Sequence, residues 1–439
     1  MPTVEVTEWQ QATPQTHTDL AGLRLDLAAD ERSVLAQLER QPMVTVRELL
    51  DGVSVASTSF VGSVRAGQLT IRIRPKLTGR PFSTLLGYAV GLPQIALLPD
   101  HDISLTEPSF QDLLVARLAS EASRLLARGI YRTYLTRQAS LASPRGRILF
   151  SQLARTPLTT ASLPCRFDER HDNVLPNRTL LAGLQLASRV AVDPTVRTRA
   201  LRPAMALADR VQPAPLTPET FRALHRSASR LTTAYEPAFA LIRLVMAGSG
   251  IGTETGHEQT TLPGFLFDMN LLFQNAVERF LREWLDDANI SPQYRLQDVF
   301  RYDPGFNPRR RRSPTPRPDY VLSRRGRVVA IADAKYRDLW EKTLPPDMLY
   351  QLSVYALSQA DCRTATILYA TTAHAARDAR IAITDPIRGG TRAHVVLRPV
   401  CLPTLAELVR QPRTAMHDRR RHEYATYLAY GAAAETVAS

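Results

Sequence analysis

The chain has 439 residues, with 55 Lys and Arg against 42 Asp and Glu, a formal charge of +13 and a pI near 10.0. That length exceeds one typical domain, so two or three domains are expected, and the basic balance favours polyanionic partners: nucleic acid, or less often an acidic protein or membrane surface. An Arg-rich, Lys-poor composition heavy in Ala and Pro also arises from a GC-rich genome, so charge alone does not choose among them. Cys165, Cys362 and Cys401 are scattered without CxxC spacing, which argues against a zinc site and for a reducing compartment, with the three read as buried thiols. No basic-then-apolar leader opens the chain and no uncharged apolar run reaches the roughly 18 residues of a membrane span, so the expected location is cytoplasmic, with no membrane partner.

Residues 1–110 read as β-rich. "TVEVTEW" is a strand, residues 19–40 carry helical apolar spacing, and "VSVASTSFVGSVRAGQLTIRIRPKL" alternates as a meander with a turn near Arg65 to Gly67. Leu69, Ile71 and Ile73 face one way and Thr70, Arg72 and Arg74 the other, and the strand should stop at Pro75. Residues 111–250 read as mainly helical, with helical spacing in "SFQDLLVARLASEASRLLARGI", "LPNRTLLAGLQLASRVA", "TVRTRALRPAMALADRV" and "EPAFALIRLVMAG". "MAGSGIGTETGHEQTTLPG" is a polar boundary loop. It lacks the Lys-Ser/Thr of a P-loop and follows a helical run, so no nucleotide is expected to bind this chain itself.

Residues 260–410 form an α/β region. "DMNLLFQNAVERFLREWL" is a core helix capped by Asp268; a basic loop with Arg309, Arg310, Arg311 and Arg312 follows, then a hairpin, a helix "PPDMLYQLSVYALSQA", a strand "TATILYAT" and a late strand "HVVLRPV", an order that predicts a mixed sheet. Residues 411–439 read as a basic tail, helical in part and solvated. The fold class expected is α+β and multidomain.

The chemistry concentrates in the hairpin "RPDYVLSRRGRVVAIADAKY", residues 317–336. Asp319 opens one strand and Asp333 lies well along the next, so antiparallel pairing can bring the carboxylates together, and Lys335 shares a face with Asp333. Two adjacent carboxylates in an apolar strand are costly unless a cation joins them, and so few hard oxygen donors suit Mg²⁺ or Mn²⁺. Lys335 could then orient or deprotonate an attacking water. An edge hairpin with a solvated Asp-x-Lys pair is the plain alternative. Gln351 and Tyr355, at i and i+4 on the next helix, could lean toward a phosphate, and Arg309 to Arg312 lie where nucleic acid would run.

Asp319, Asp333, Ala334 and Lys335, with Gln351 and Tyr355, resemble the PD-(D/E)xK nuclease core with the QxxxY element of its RecB-like branch. "FVGSVRAGQLTIRIRPKL", "RGIYRTY", "PRGRI", "PCRFDERHDNVLPNRTLL" and "FLFDMNLLFQNAVERFL" narrow the resemblance to the McrC family, over about residues 50 to 400. The resemblance implies a C-terminal restriction-endonuclease-like core that cuts double-stranded DNA with Mg²⁺, Asp319 and Asp333 as metal ligands and Lys335 as the catalytic lysine. It implies an N-terminal part that docks onto a McrB-like AAA+ GTPase ring and stimulates it, while the ring reads the modified cytosine. Arg74 and Lys76 are candidate ring contacts, and double-strand cutting by a one-site nuclease would need a self-dimer.

One position departs from the family: Gln274 stands where an acid is usual, with Glu278 one turn on as a substitute. A repair nuclease of the RecB type without a GTPase ring, and a non-cutting adaptor of an AAA+ motor, remain as rival readings. His171 is a weak ligand candidate, with no second His at ligand spacing, while Asp168, Asp172, Asn177 and Arg178 read as a structural polar network.

Overall fold

The computed structural model describes residues 2–25, 43–91, 109–153, 162–249, 264–303, 305–359 and 362–431, with residues 32, 35, 36, 38 and 39. The chain forms two compact units: Met1–Asp100 together with Leu266–Ser439, and His101–Phe265. Of the helix expected over 19–40, residues 32, 35, 36, 38 and 39 are helical, whereas Thr18–Leu20 is a single 3₁₀ turn that runs into extended backbone at Ala21; residues 26–31, 33, 34, 37 and 40, and most of the Gly-rich loop, lie outside the described residues.

In the first unit the N-terminal residues build two small sheets. Thr3–Thr7 pairs in parallel with Leu69–Arg74, which pairs antiparallel with Phe60–Ala66, and Gly264–Asp268 completes that sheet. Leu69, Ile71 and Ile73 are buried and the strand ends at Arg74, before Pro75, as alternation predicts. Gly52–Ser57 lies between Gln11–Ala12 and Val44–Leu49 in the second sheet.

The C-terminal part is a six-stranded mixed sheet in the order Asn289–Pro292, Tyr320–Arg324, Arg327–Lys335, Thr364–Thr371, Thr391–Cys401, Ala379–Thr384. The pairs Arg327–Lys335 with Thr364–Thr371, and Thr364–Thr371 with Thr391–Cys401, are parallel; the others are antiparallel. Helix Pro346–Leu357 is the crossover between the first parallel pair, and its Leu352, Tyr355 and Ala356 pack on Ile331, Ile367, Tyr369 and Val395. Helix Met269–Trp284 covers the other face. It is capped by Asp268, whose Oδ1 accepts from Asn270 N at 2.8 Å, and buries Met269, Leu272, Phe273, Val277, Phe280, Leu281 and Trp284 on one stripe.

The segment read as a solvated, partly helical tail is a helix, but a packed one. Helix Ala415–Tyr430 buries Ala425 and Leu428, and the buried Arg421 donates to Leu408 O at 2.8 Å and lies 4.9 Å over the Trp284 ring. Arginine can be buried where its planar donors all find carbonyls and carboxylates. Surface-like composition therefore concealed a packed helix.

The N-terminal sheets are tied to the C-terminal sheet through Tyr336, one residue past Lys335. Its N–H donates to Asn270 Oδ1 at 3.1 Å, its carbonyl accepts from Trp9 Nε1 at 2.9 Å, and its hydroxyl donates to Glu8 Oε1 at 2.9 Å. Lys76 is turned into the same junction, 4.3 Å over the Tyr336 ring with Nζ on Ala370 O at 3.3 Å, and Arg74 pairs with Glu5 at 2.7 Å. Both proposed ring contacts thus have internal partners.

In the second unit the four expected helices are Phe110–Arg128, Leu175–Val190, Pro194–Ala208 and Glu236–Gly248, and the described residues add a short one at Phe150–Leu153 and another at Pro218–Arg226. A three-stranded sheet, Thr133–Leu141, Leu163–His171 and Arg147–Ile148, was not legible in the mainly helical signal. Thr133–Leu141 is exposed along almost its whole length, so it carries no apolar alternation. Asn177 is buried and fully satisfied: its amide donates to Tyr131 O and Asp172 O at 2.8 and 2.7 Å and its Oδ1 accepts from Tyr235 OH at 2.6 Å. Asp172 pairs with Arg132 at 2.9 Å, which bears out the polar network around these two residues, whereas Asp168 bonds Thr136 on the exposed sheet. Of the cysteines, Cys165 is buried while Cys362 and Cys401 are only partly so, and all three are free thiols. Among the described residues no helix is long and apolar enough to cross a membrane.

Candidate active site

The two aspartates owe their juxtaposition to one extra residue. Arg325 and Gly326 turn the hairpin with φ of +50° and +79°, the positive pair that a two-residue turn of primed type requires. That turn alone pairs Arg324 with Arg327 and Ser323 with Val328, a register that would set Asp319 opposite Ala332 and leave Asp333 on the other face. A bulge between Leu322 and Ser323 shifts the ladder, so that Leu322 pairs with Ala330 and Tyr320 with Ala332. One residue further, Asp319 stands across from Asp333, its N–H donating to Asp333 Oδ1 at 3.3 Å.

Each carboxylate oxygen has a donor. Asp319 Oδ2 accepts from Ala334 N at 2.9 Å and its Oδ1 from Gln293 Nε2 at 2.7 Å, while Asp333 Oδ2 is 2.7 Å from Lys335 Nζ. Asp319 and Asp333 are 9% and 3% exposed. Burial, then the neighbouring Asp333 charge, raises the Asp319 pKa from 3.8 to about 6. For Lys335 burial pulls the pKa down, but the charges of Asp333 and Asp319 and the bond to Asp333 outweigh it, and the ammonium is held above its ordinary value.

Tyr355 is buried on the same face, within electrostatic reach of Asp333, Lys335 and Asp319, and its hydroxyl oxygen accepts from Gln351 Nε2 at 2.6 Å. Asp319, Asp333, Lys335 and Tyr355 are therefore brought together, with the exposed Gln351 joined through Tyr355. Among the described residues Arg309, Arg310, Arg311 and Arg312 make no hydrogen bond or ion pair with them; they are exposed in a loop clasped by Asn307, whose side chain bonds Arg311 N and O at 2.8 Å each. Gln274 contributes its carbonyl oxygen, which accepts from Tyr320 OH at 2.7 Å, and Glu278 pairs with Arg282 at 2.9 Å. His171 lies opposite Thr133 in the second unit's sheet.

Sequence reasoning missed Gln293. It is a non-glycine residue at φ +50°; its N–H donates to Asp319 O at 2.8 Å, its side chain holds Asp319 Oδ1, and its carbonyl accepts from Arg317 Nε at 3.0 Å. A residue in the left-handed region persists only where its surroundings over-determine it, and this one is clamped on both sides of Asp319. No local motif announces it, because the signal is backbone geometry.

The donor set fits a hard divalent cation. Asp319 and Asp333 are two like charges held close in a buried place, a cost that a dication relieves, and a carboxylate oxygen with one hydrogen bond keeps a second lone pair for coordination. Among the described residues no group of three or more His, Cys, Asp or Glu is placed to hold a metal ion. Further ligands would come from water and substrate.

A family model described as "McrBC 5-methylcytosine restriction system component" matches residues 55–370. The chain belongs to the McrBC family. The McrBC match takes in Gln293, Asp319, Asp333, Lys335, Gln351 and Tyr355, and the C-terminal helix Ala415–Tyr430 lies beyond it. In fold the chain is similar to one in the refined half-complex from the tetradecameric assembly of Thermococcus gammatolerans McrB AAA+ hexamers with bound McrC. The TM-score is 0.62 and the identity 20%, over 96% of this chain and 98% of that one. A chain of the Thermococcus gammatolerans McrBC complex matches at TM-score 0.46 and 19% identity, over 64% of this chain and 88% of that one. No curated protein matches by sequence.

Proposed function

We propose that this McrBC-family chain is the nuclease subunit of its system: a PD-(D/E)xK endonuclease that cuts double-stranded DNA by Mg²⁺-dependent phosphodiester hydrolysis, directed by a McrB-like AAA+ GTPase ring that it stimulates. The observation that carries this reading is the buried pair Asp319 and Asp333 on one sheet face, with Lys335 2.7 Å from Asp333. The ring as partner is supported by the likeness in fold to a chain from an assembly of McrB hexamers with bound McrC.

Bound to Asp319 and Asp333, Mg²⁺ or Mn²⁺ would stabilise charge on the scissile phosphate and acidify a water. Lys335, held as an ammonium, orients that water and offsets charge on the phosphate rather than acting as the base. Because the Tyr355 oxygen accepts from Gln351, the tyrosine's own proton is available to a phosphate oxygen. Cutting both strands would take two copies through the nuclease part.

The test is cleavage of methylated and unmethylated plasmid with Mg²⁺, GTP and the AAA+ protein, comparing wild type with Asp333→Ala and Lys335→Ala. Cutting that requires the partner and vanishes in both variants is expected. A second reading, a non-cutting adaptor, is favoured by one observation: Gln274 is no acid, and Glu278 is tied to Arg282. If all three proteins stimulate the partner's GTPase equally and none cuts DNA, the adaptor reading stands.

A further inference from the structure

A cleft of about 1330 Å³ lies in the first unit between the sheet and the end of helix Ala415–Tyr430, and its lining includes Arg327, Arg363, Arg377, Arg380 and Arg398. Strand parity separates it from the aspartates. Ala330, Thr366 and Val396 form its floor, and they alternate with Ile331, Ile367 and Val395, which share the face of Asp333. The cleft is therefore on the opposite face of the sheet.

Its charge is unbalanced. Among the described residues Asp378 is the one acid in the lining, and it already accepts from Arg398 Nε at 3.0 Å and Tyr427 OH at 2.7 Å, while Arg398 also donates to Leu428 O at 3.1 Å. Arg327, Arg363, Arg377 and Arg380 are exposed and carry no ion pair among the described residues; Arg380 bonds only a ring nitrogen of His394, at 2.9 Å. A concave wall of one sign focuses potential and gathers phosphate.

The aromatic rings at the rim are already engaged. Tyr427 lies under Arg398 at 5.5 Å, and Tyr430 lies under Arg324 at 5.5 Å with its hydroxyl on Asp287 at 3.1 Å. Base stacking, the usual device for unpaired strands, is thus not on offer, and the available contacts are guanidinium groups suited to a backbone. We propose that this arginine cleft binds the phosphate backbone of duplex DNA, apart from the catalytic pair and without regard to sequence. The inference rests on the nuclease reading for its choice of DNA, but its test does not.

Binding of a fluorescein-labelled duplex a few helical turns long is measured by anisotropy in EDTA with the full-length protein, against Arg327→Ala/Arg363→Ala/Arg377→Ala/Arg380→Ala. The variant is expected to bind about tenfold or more weakly, and its plot of log K against log salt to be shallower by about three to four. Its melting temperature should match wild type, since all four side chains are exposed. Equal affinity and slope in the two proteins overturns the proposal, as does a wild type that binds no duplex. A variant that binds DNA normally but has lost binding to polyglutamate also overturns it, and assigns the cleft to an acidic protein. If the cleft binds DNA as expected but no plasmid is cut under any loading, the nuclease reading fails while the cleft stands.

Discussion

Asp319 and Asp333 face each other across a hairpin whose turn, taken alone, would set them on opposite faces of the sheet. Their closeness has a measurable cost. Folding raises the Asp319 pKa from 3.8 to about 6, so the folded chain holds that proton more tightly than the unfolded chain. Ionising it costs stability that is absent below about pH 4 and complete above about pH 6, at most about 3 kcal/mol. Metal-free Asp319→Asn should therefore melt above wild type at pH 8, with the gap closing toward pH 4, and in wild type Mn²⁺ binding by calorimetry should weaken as pH falls through about 6. A gap that widens on acidification would contradict this.

Gln293 should act on the metal through Asp319. Gln293→Gly removes the side-chain bond while fitting the φ of +50° better than glutamine does. Its melting temperature should hold or rise, yet Mn²⁺ affinity should fall about tenfold, the usual effect of losing a group that orients a metal ligand. Gln293→Met, which keeps the bulk without the donor, should lose the same affinity. Unchanged affinity in both would reduce Gln293 to a loop residue.

Glu8 is 4% exposed, its Oε2 has no hydrogen-bond partner among the described residues, and burial lifts its pKa from 4.5 to about 7 despite the Lys76 amide and charge and the Tyr336 hydroxyl. Here too the cost of ionisation is absent below about pH 4.5 and complete above about 7. Glu8→Gln, which keeps an acceptor for Tyr336, should be more stable than wild type at pH 8, by up to about 3 kcal/mol, and no more stable at pH 4. Denaturant melts at the two pH values measure this directly.

Arg325 occupies a turn position that favours Asn. Arg325→Asn should stabilise the chain by about 1 kcal/mol by relieving its φ of +50° while leaving Mn²⁺ binding intact. A loss of binding would mean that the turn, and not only the bulge, sets the spacing of the aspartates.

The sequence by itself determined the elements whose apolar period is strong. The stripe on Met269–Trp284 with its Asp268 cap, the alternation ending at Pro75, and the helix that follows the hairpin were all readable, because burial on one face writes a period into the chain. It also marked Asp319, Asp333, Lys335, Gln351 and Tyr355 as a set. It was silent on Thr133–Leu141, where backbone pairing is satisfied without burying side chains, and it misjudged the C-terminal helix, where Arg421 is buried by virtue of partners far away in sequence. Only the tertiary structure decided that the aspartates share a face, since a period of two cannot reveal one residue of bulge. The same holds for Gln293 and for the four arginines of the cleft: what defines them is a backbone angle and a convergence of separate strands, and neither is a property of local sequence.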